Sequence, residues 1–239
     1  MVQNSRFSDS HLHIVEEGWR DRYSDLDSAG ILMACTARPA EWDIQSGISD
    51  TNVIGSYGVH PWYADEWNDE IRGRLISILE GDGNRHVGEI GLDYKRGSVK
   101  DQMPVFEDQL RIASDMGRIA TIHMMGTEKE VLESVRAHGK GCPGIILHSY
   151  GSDSYLKPFS ELNCHFSISP RILSRSDIRV KRLMDAIPDD RLLLETDAPH
   201  AGKVFTGMHD FASRLGDITG RDPEELLSIA DSNLRRLLG

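Results

Sequence analysis

Short apolar runs alternate along this 239-residue chain with longer stretches in which apolar residues recur every third or fourth position. The short runs are FSDSHLHI (7–14), ILMACTA (31–37), NVIGSYGVH (52–60), RHVGEIGLD (85–93), IATIHMM (119–125), GIILHSYG (144–151), CHFSISP (164–170) and RLLLETD (191–197). Between them DEIRGRLISILEG, DQMPVFEDQLRIASDMG, TEKEVLESVRAHG and SDIRVKRLMDAI carry helical spacing, several of them closed by Gly. Strand followed by helix, eight times over, predicts an α/β fold of the (β/α)8 TIM-type barrel. An open doubly wound sheet is the competing arrangement, because periodicity alone does not exclude it. The final stretch, DPEELLSIADSNLRRLLG (222–239), predicts an extra C-terminal helix: Asp222 caps it, Pro223 suits its first position and Glu225 completes a capping box. No linker, low-complexity tract or repeat interrupts the series, so a single domain over residues 1–239 is expected.

Composition narrows the function classes. Asp and Glu outnumber Lys and Arg by 38 to 27, a formal net charge of -11, so a broad basic footprint for nucleic acid is not expected and an anionic substrate must be drawn by something local. The three cysteines, Cys35, Cys142 and Cys164, show no paired spacing, which fits a reduced, cytoplasmic protein. Neither a basic-then-apolar leader nor an apolar run near the roughly 20 residues of a membrane span is present. No membrane contact and no obligate protein partner are therefore expected.

Candidate chemistry lies at the ends of the apolar runs. Asp9, His11 and His13 occupy alternate positions, so a strand sends them to one face. His60, Glu89, His123, His148 and Asp197 also fall at or near predicted strand ends, and a barrel gathers strand ends at one mouth. Each has a bland reading on its own: a satisfied structural histidine, a buried ion-pair partner for Glu89, a turn carboxylate for Asp197. Their convergence favours metal binding. Two carboxylates with four imidazoles exceed one tetrahedral ion, and a carboxylate can bridge where imidazole cannot, which argues for a two-metal site. Two divalent ions against two carboxylates leave roughly +2 at the mouth, enough to attract phosphate. Coordination also lowers the pKa of water from 15.7 to about 7 and so supplies a nucleophile.

The segments DSHLH (9–13), GVHPWYADE (58–66), VGEIGLDYKR (87–96), QLRIASDMGRIATIH (109–123), GIILHSYGS (144–152), LLLETDAP (192–199) and NLRRLL (233–238) resemble, in order and spacing, the TatD family of metal-dependent hydrolases within the amidohydrolase-like barrels. The resemblance implies that His11, His13, Glu89 and Asp197 hold one divalent ion (Mg, Mn or Zn) and that Glu89, His123 and His148 hold a second. Glu89 would bridge, Asp197 would orient or deprotonate the water, and His60 would face substrate phosphate from outside the ligand set. DNA or another phosphodiester is the implied substrate.

Departures from the family pattern fall on substrate contacts. Met125 stands where the family usually has Arg, the family's HPH is HPW with Trp62, HCFSG is replaced by His148, Ser149, Tyr150 and Gly151, and the loop after Asp197 is short. Trp62, Tyr63 and Tyr94 are expected near the mouth, as stacking surfaces or as rim cover, and Glu195 as a buried hydrogen-bonding group. His86, His138, His165 and His209 show no convergent placement. The leading reading is a metal-dependent deoxyribonuclease or phosphodiesterase. The alternatives are a hydrolase of a small amide, lactone or phosphoester, disfavoured because Glu89 stands where many such enzymes carry a modified Lys, and a non-catalytic metal-binding protein.

Overall fold

All eight apolar runs form strands. The computed structural model describes residues 6–15, 29–200 and 207–239. Its strands are β1 (Phe7–Leu12), β2 (Ala29–Cys35), β3 (Val53–Tyr57), β4 (His86–Asp93), β5 (Ala120–Met125), β6 (Ile145–Leu147), β7 (Cys164–Ile168) and β8 (Leu192–Leu194). Each pairs in parallel with the next in chain order. Beyond β8 the chain returns to β1, where Asp197 N donates to His11 O (3.0 Å) and His13 N to Ala198 O (2.7 Å). That closure makes the sheet a barrel and excludes the open doubly wound alternative, which would leave two unpaired edges. Strands covered on both faces need apolar residues at nearly every position, which is why most of the runs read as continuous; β1, with buried Ser8, Asp9, Ser10 and His11, is an exception.

The helices are α1 (Trp42–Ser46), α2 (Asp69–Gly81), α3 (Val99–Asp115), α4 (Glu128–His138), α5 (Leu156–Ser160), α6 (Asp177–Ala186), α7 (Met208–Thr219) and α8 (Pro223–Leu238). The four internal helices expected from spacing are α2, α3, α4 and α6. Asn68 caps α2 by accepting from Glu70 N and Ile71 N. At α8 Asp222 accepts from Glu224 N at 2.9 Å, whereas Glu225 makes no reciprocal side-chain bond, so the cap is a simple one and not the expected box. Asn233 Nδ2 ties α8 to Asp189 O (2.6 Å) and Leu192 O (2.7 Å), and Leu234 joins a buried cluster with Met33, Ile119, Ile146 and Leu193. Burying one such leucine contributes about 1.5–3 kcal/mol. The NLRRLL motif is thus a fastening of the last helix to the barrel.

Close strand approach around the mouth depends on Gly91. A Cβ on this residue, at φ 142°, would lie 2.0 Å from His123 O, so β4 and β5 come together here only because there is no side chain. Among the described residues no helix is long and apolar enough to cross a membrane.

Candidate metal centre

Strand ends deliver the expected residues to one cavity of about 640 Å³, lined among others by His13, His60, Glu89, His123, His148 and Asp197. Glu89 lies in the middle of them, 3 % exposed. Its Oε2 is 3.5 Å from both His11 Nε2 and His13 Nε2, and those two nitrogens are 3.2 Å apart. An ion with ligand bonds of about 2.0–2.1 Å in tetrahedral geometry spaces its ligand atoms roughly 3.3 Å apart, so this triangle has the dimensions of a divalent coordination shell. The other oxygen, Oε1, faces His123 Nδ1 (2.8 Å), His60 Nε2 (3.4 Å) and His148 Nε2 (3.6 Å). One carboxylate therefore presents a separate oxygen to each of two imidazole groups. Asp197 Oδ1 lies 4.0 Å from His13 Nε2.

Among the described residues three tight sets have the ligand types of a metal site: His11, His13 and Glu89; His11, His148 and Asp197; and His60, Glu89 and His123. His148 thus groups most closely with His11, its ring stacked 3.8 Å away, while its ring centroid is 6.0 Å from that of His123. His60, placed by resemblance outside the ligands, is near enough to be one. Asp9 leaves the constellation altogether: its carboxylate accepts from His11 N, Thr196 N and Thr196 Oγ1 and binds β1 to the end of β8.

For His123, His148 and His60 the neighbour of the far ring nitrogen bears on which nitrogen faces inward. His123 Nε2 is 3.3 Å from Asp93 Oδ2, which places a proton there and turns Nδ1 toward Glu89. His148 Nδ1 lies 2.8 Å from Glu195 Oε1, close but off hydrogen-bond alignment, leaving Nε2 toward the centre. His60 differs, because its Nδ1 accepts the backbone N–H of Trp62 at 3.1 Å. The neutral His60 ring then carries its proton on Nε2 and faces the site as a donor.

Electrostatics follow from burial. The Glu89 carboxyl, which burial alone would push up, is held well below the usual range by His60, His148 and His11. His148 is pushed down to about 3 by burial and by His11, and burial also lowers His13 and His60, so these rings are neutral at neutral pH. Burial would lower His123, yet its bonds to Asp93 and Glu89 carry it up to about 9. Burial raises Glu195 to about 7. The donor set and the ligand spacing fit divalent ions.

Several groups escaped the sequence reading. Asp93 was legible, since it lies four residues after Glu89 on the same strand face. Arg171, half-exposed beyond β7, donates from Nε to Asp197 Oδ2 at 2.9 Å and from Nη2 to His200 O at 2.9 Å, and no spacing rule links it to either. Lys95, Arg96 and Arg175 also line the cavity, so its wall sets cations beside the carboxylates of Glu41, Glu89, Asp93 and Asp197. Trp62 and Tyr63 line it too, whereas the Tyr94 ring packs over Gly126. Met125 lines the mouth, and the loop after Asp197 runs into residues 201–206, outside the described residues. His86 is buried apart from this cavity, accepting from Ile119 N, and Cys35, Cys142 and Cys164 are buried free thiols.

Comparison with known proteins gives one consistent family. The family model described as TatD related DNase matches residues 8–239. The 3'-5' ssDNA/RNA exonuclease TatD of Cronobacter sakazakii is 31% identical, with 75% of this chain and 74% of the relative covered. A metal-dependent hydrolase TatD of Mycobacterium tuberculosis is 26% identical over 97% of both chains. Among solved structures, a TatD homologue from Escherichia coli K12 superimposes with a TM-score of 0.80 at 19% identity over 97% of each chain. A TatD family hydrolase from Entamoeba histolytica does so at 0.78 and 15% identity over 98% of each. At these identities the structural likeness shows the shared barrel.

Proposed function

This chain belongs to the TatD related DNase family, and from that premise we propose that it is a divalent-metal-dependent hydrolase of phosphodiester bonds in DNA or RNA. The observation that carries the reading is the placement of Glu89, one oxygen toward His11 and His13 and the other toward His123 and His148. We assign His11, His13, Glu89 and Asp197 to one ion, and Glu89, His123 and His148 to a second, with Mg, Mn and Zn as the candidate metals. The TatD relatives named as ssDNA/RNA exonucleases and the Lys95, Arg96 and Arg175 side chains in the cavity wall support a nucleic acid as transient substrate. Three buried free thiols support a reducing, cytoplasmic setting, and the unbroken barrel supports one domain over residues 1–239.

Divalent ions held by these residues would supply a water acidified to near-neutral pKa and Lewis-acid polarisation of the phosphoryl oxygens. The protein does the rest. Asp197 Oδ1 faces the ligand cluster, where it would hold the ion and orient the attacking water, while Oδ2 is held by Arg171. His60 Nε2–H donates to a non-bridging phosphate oxygen, the role its tautomer suits and a ligand's would not. Lys95, Arg96 and Arg175 line the approach and offset the repulsion between a polyanion and a chain of net charge -11.

Assay on single-stranded DNA, RNA, duplex DNA and a small generic phosphodiester, before and after chelation, tests the reading. Metal-dependent cleavage of a nucleic acid is expected. Full activity after chelation, or cleavage of amides and lactones with none of phosphodiesters, would overturn it.

A further inference from the structure

Asp93 joins an exposed aromatic ring to a buried imidazole. Its Oδ2 accepts the indole N–H of Trp62 at 2.7 Å and faces His123 Nε2 at 3.3 Å, while Oδ1 accepts Lys95 N at 2.8 Å. The Asp93 backbone is clamped as well: its N–H donates to Gln102 Oε1 (2.8 Å) and its carbonyl accepts from Gln102 Nε2 (3.0 Å). Both carboxylate oxygens and both backbone groups are thus committed, so the carboxylate plane has little freedom to turn. That carboxylate holds the outer nitrogen of His123, whose inner nitrogen is 2.8 Å from Glu89.

Trp62 lies at the outer end of this chain of contacts. The ring is 47% exposed at the mouth, yet it is held on three sides: its N–H on Asp93, the His60 ring edge-on at 4.9 Å and the Arg96 guanidinium 4.5 Å from its centroid. An exposed indole does not need a buried carboxylate to satisfy one N–H, because water would serve. The carboxylate, by contrast, gains a second donor that fixes which way it faces.

We infer that Trp62 is a positioning residue for the metal ligand His123, acting through Asp93. Asp93 sets the ring orientation and keeps the proton on Nε2; Trp62 sets Asp93. Partners of this kind typically change metal affinity by 10- to 100-fold. The inference rests on the assignment of His123 as a ligand. It gives the tryptophan of the HPW segment a part in ion binding although it touches no ion.

Titration of the metal-free protein with Co²⁺, followed by calorimetry and by the visible ligand-field spectrum, tests it without reference to catalysis. Asp93→Asn is expected to weaken one ion by roughly 10- to 100-fold and to change its spectrum, leaving the other ion bound. Trp62→Phe keeps the ring and loses only the N–H, so a loss of roughly threefold to tenfold at that same ion is expected. In the Asp93→Asn background Trp62→Phe should add nothing, since the effect passes through the carboxylate. The thermal midpoint of each metal-free variant checks folding, and Trp62→Phe, at a half-exposed ring, keeps the test open should Asp93→Asn fold poorly. Unchanged affinity and spectrum in Trp62→Phe, or losses that simply add in the double variant, would overturn the inference while leaving the metal centre standing. A wild-type protein that takes up no Co²⁺ would overturn both.

Discussion

Arg171 holds one oxygen of Asp197 by a 2.9 Å bond from Nε, and the other oxygen of that carboxylate faces His13 at 4.0 Å. The carboxylate lies on a residue with φ of 52°, a left-handed conformation that Asp tolerates and β-branched residues do not. Backbone geometry and guanidinium together aim a single oxygen at the ligand cluster.

Replacing Arg171 by Gln should therefore act on turnover more than on folding. The pair is half-exposed on the Arg side, so its loss is expected to change stability by less than about 1 kcal/mol. Loss of the fixed Asp197 orientation is expected to lower kcat roughly 10- to 100-fold at saturating metal. Thermal melts, elemental analysis and steady-state kinetics on one preparation check all three; a large fall in Tm with normal kcat would mean that the contact is structural.

His60→Ala separates substrate binding from metal binding. Because His60 Nδ1 is already occupied by Trp62 N, the ring is expected to serve as an Nε2–H donor. The variant should keep its ions and lose about 10- to 100-fold in kcat/KM on a phosphodiester. Loss of an ion on elemental analysis would instead make His60 a ligand, as its place beside Glu89 and His123 allows.

Acidity should weaken ion binding at His123. Its pKa is carried to about 9, so the ring holds a proton at neutral pH that an ion on Nδ1 must displace. Below that pKa proton and metal compete; apparent affinity is expected to rise with pH by close to tenfold per unit between about 7 and 9 and then to level off. Calorimetric Mn²⁺ titrations at pH 7 and 8, in buffers of different ionisation enthalpy, would register the released proton. Affinity that falls as pH rises would contradict the assignment.

Met125 lines the mouth on the same strand face as His123 and pairs in register with Asp93. Met125→Arg would add a planar fork of donors that a thioether lacks. Efficiency on a charged phosphodiester or DNA is expected to improve relative to a neutral ester, provided that metal content is retained. An unchanged preference in competition kinetics, with full metal content, would mean that another residue replaces the family Arg or that DNA is not the substrate.

How far the sequence carried these residues depends on what each signal encodes. The strands were legible because burial on both faces demands apolar runs, and α2, α3, α4 and α6 because one face of each is buried. Helix α7 shows the same spacing in Met208, Phe211, Ala212 and Leu215, but its start at Gly207 carries no side-chain cap to announce it. Strand parity would have found Asp93 from Glu89. Arg171 meets Asp197 only when the barrel closes, and no linear pattern encodes that contact, whereas the His60 tautomer is set locally by the Trp62 N–H two residues on.

The central claim is that Glu89 bridges two ions, and metal content of Glu89→Ala tests it most directly. Wild-type protein, loaded and exhaustively dialysed, is expected to retain two divalent ions per chain; Glu89→Ala should lose occupancy at both positions, whereas His123→Ala should empty mainly one. Retention of both ions by Glu89→Ala at wild-type affinity would contradict the account.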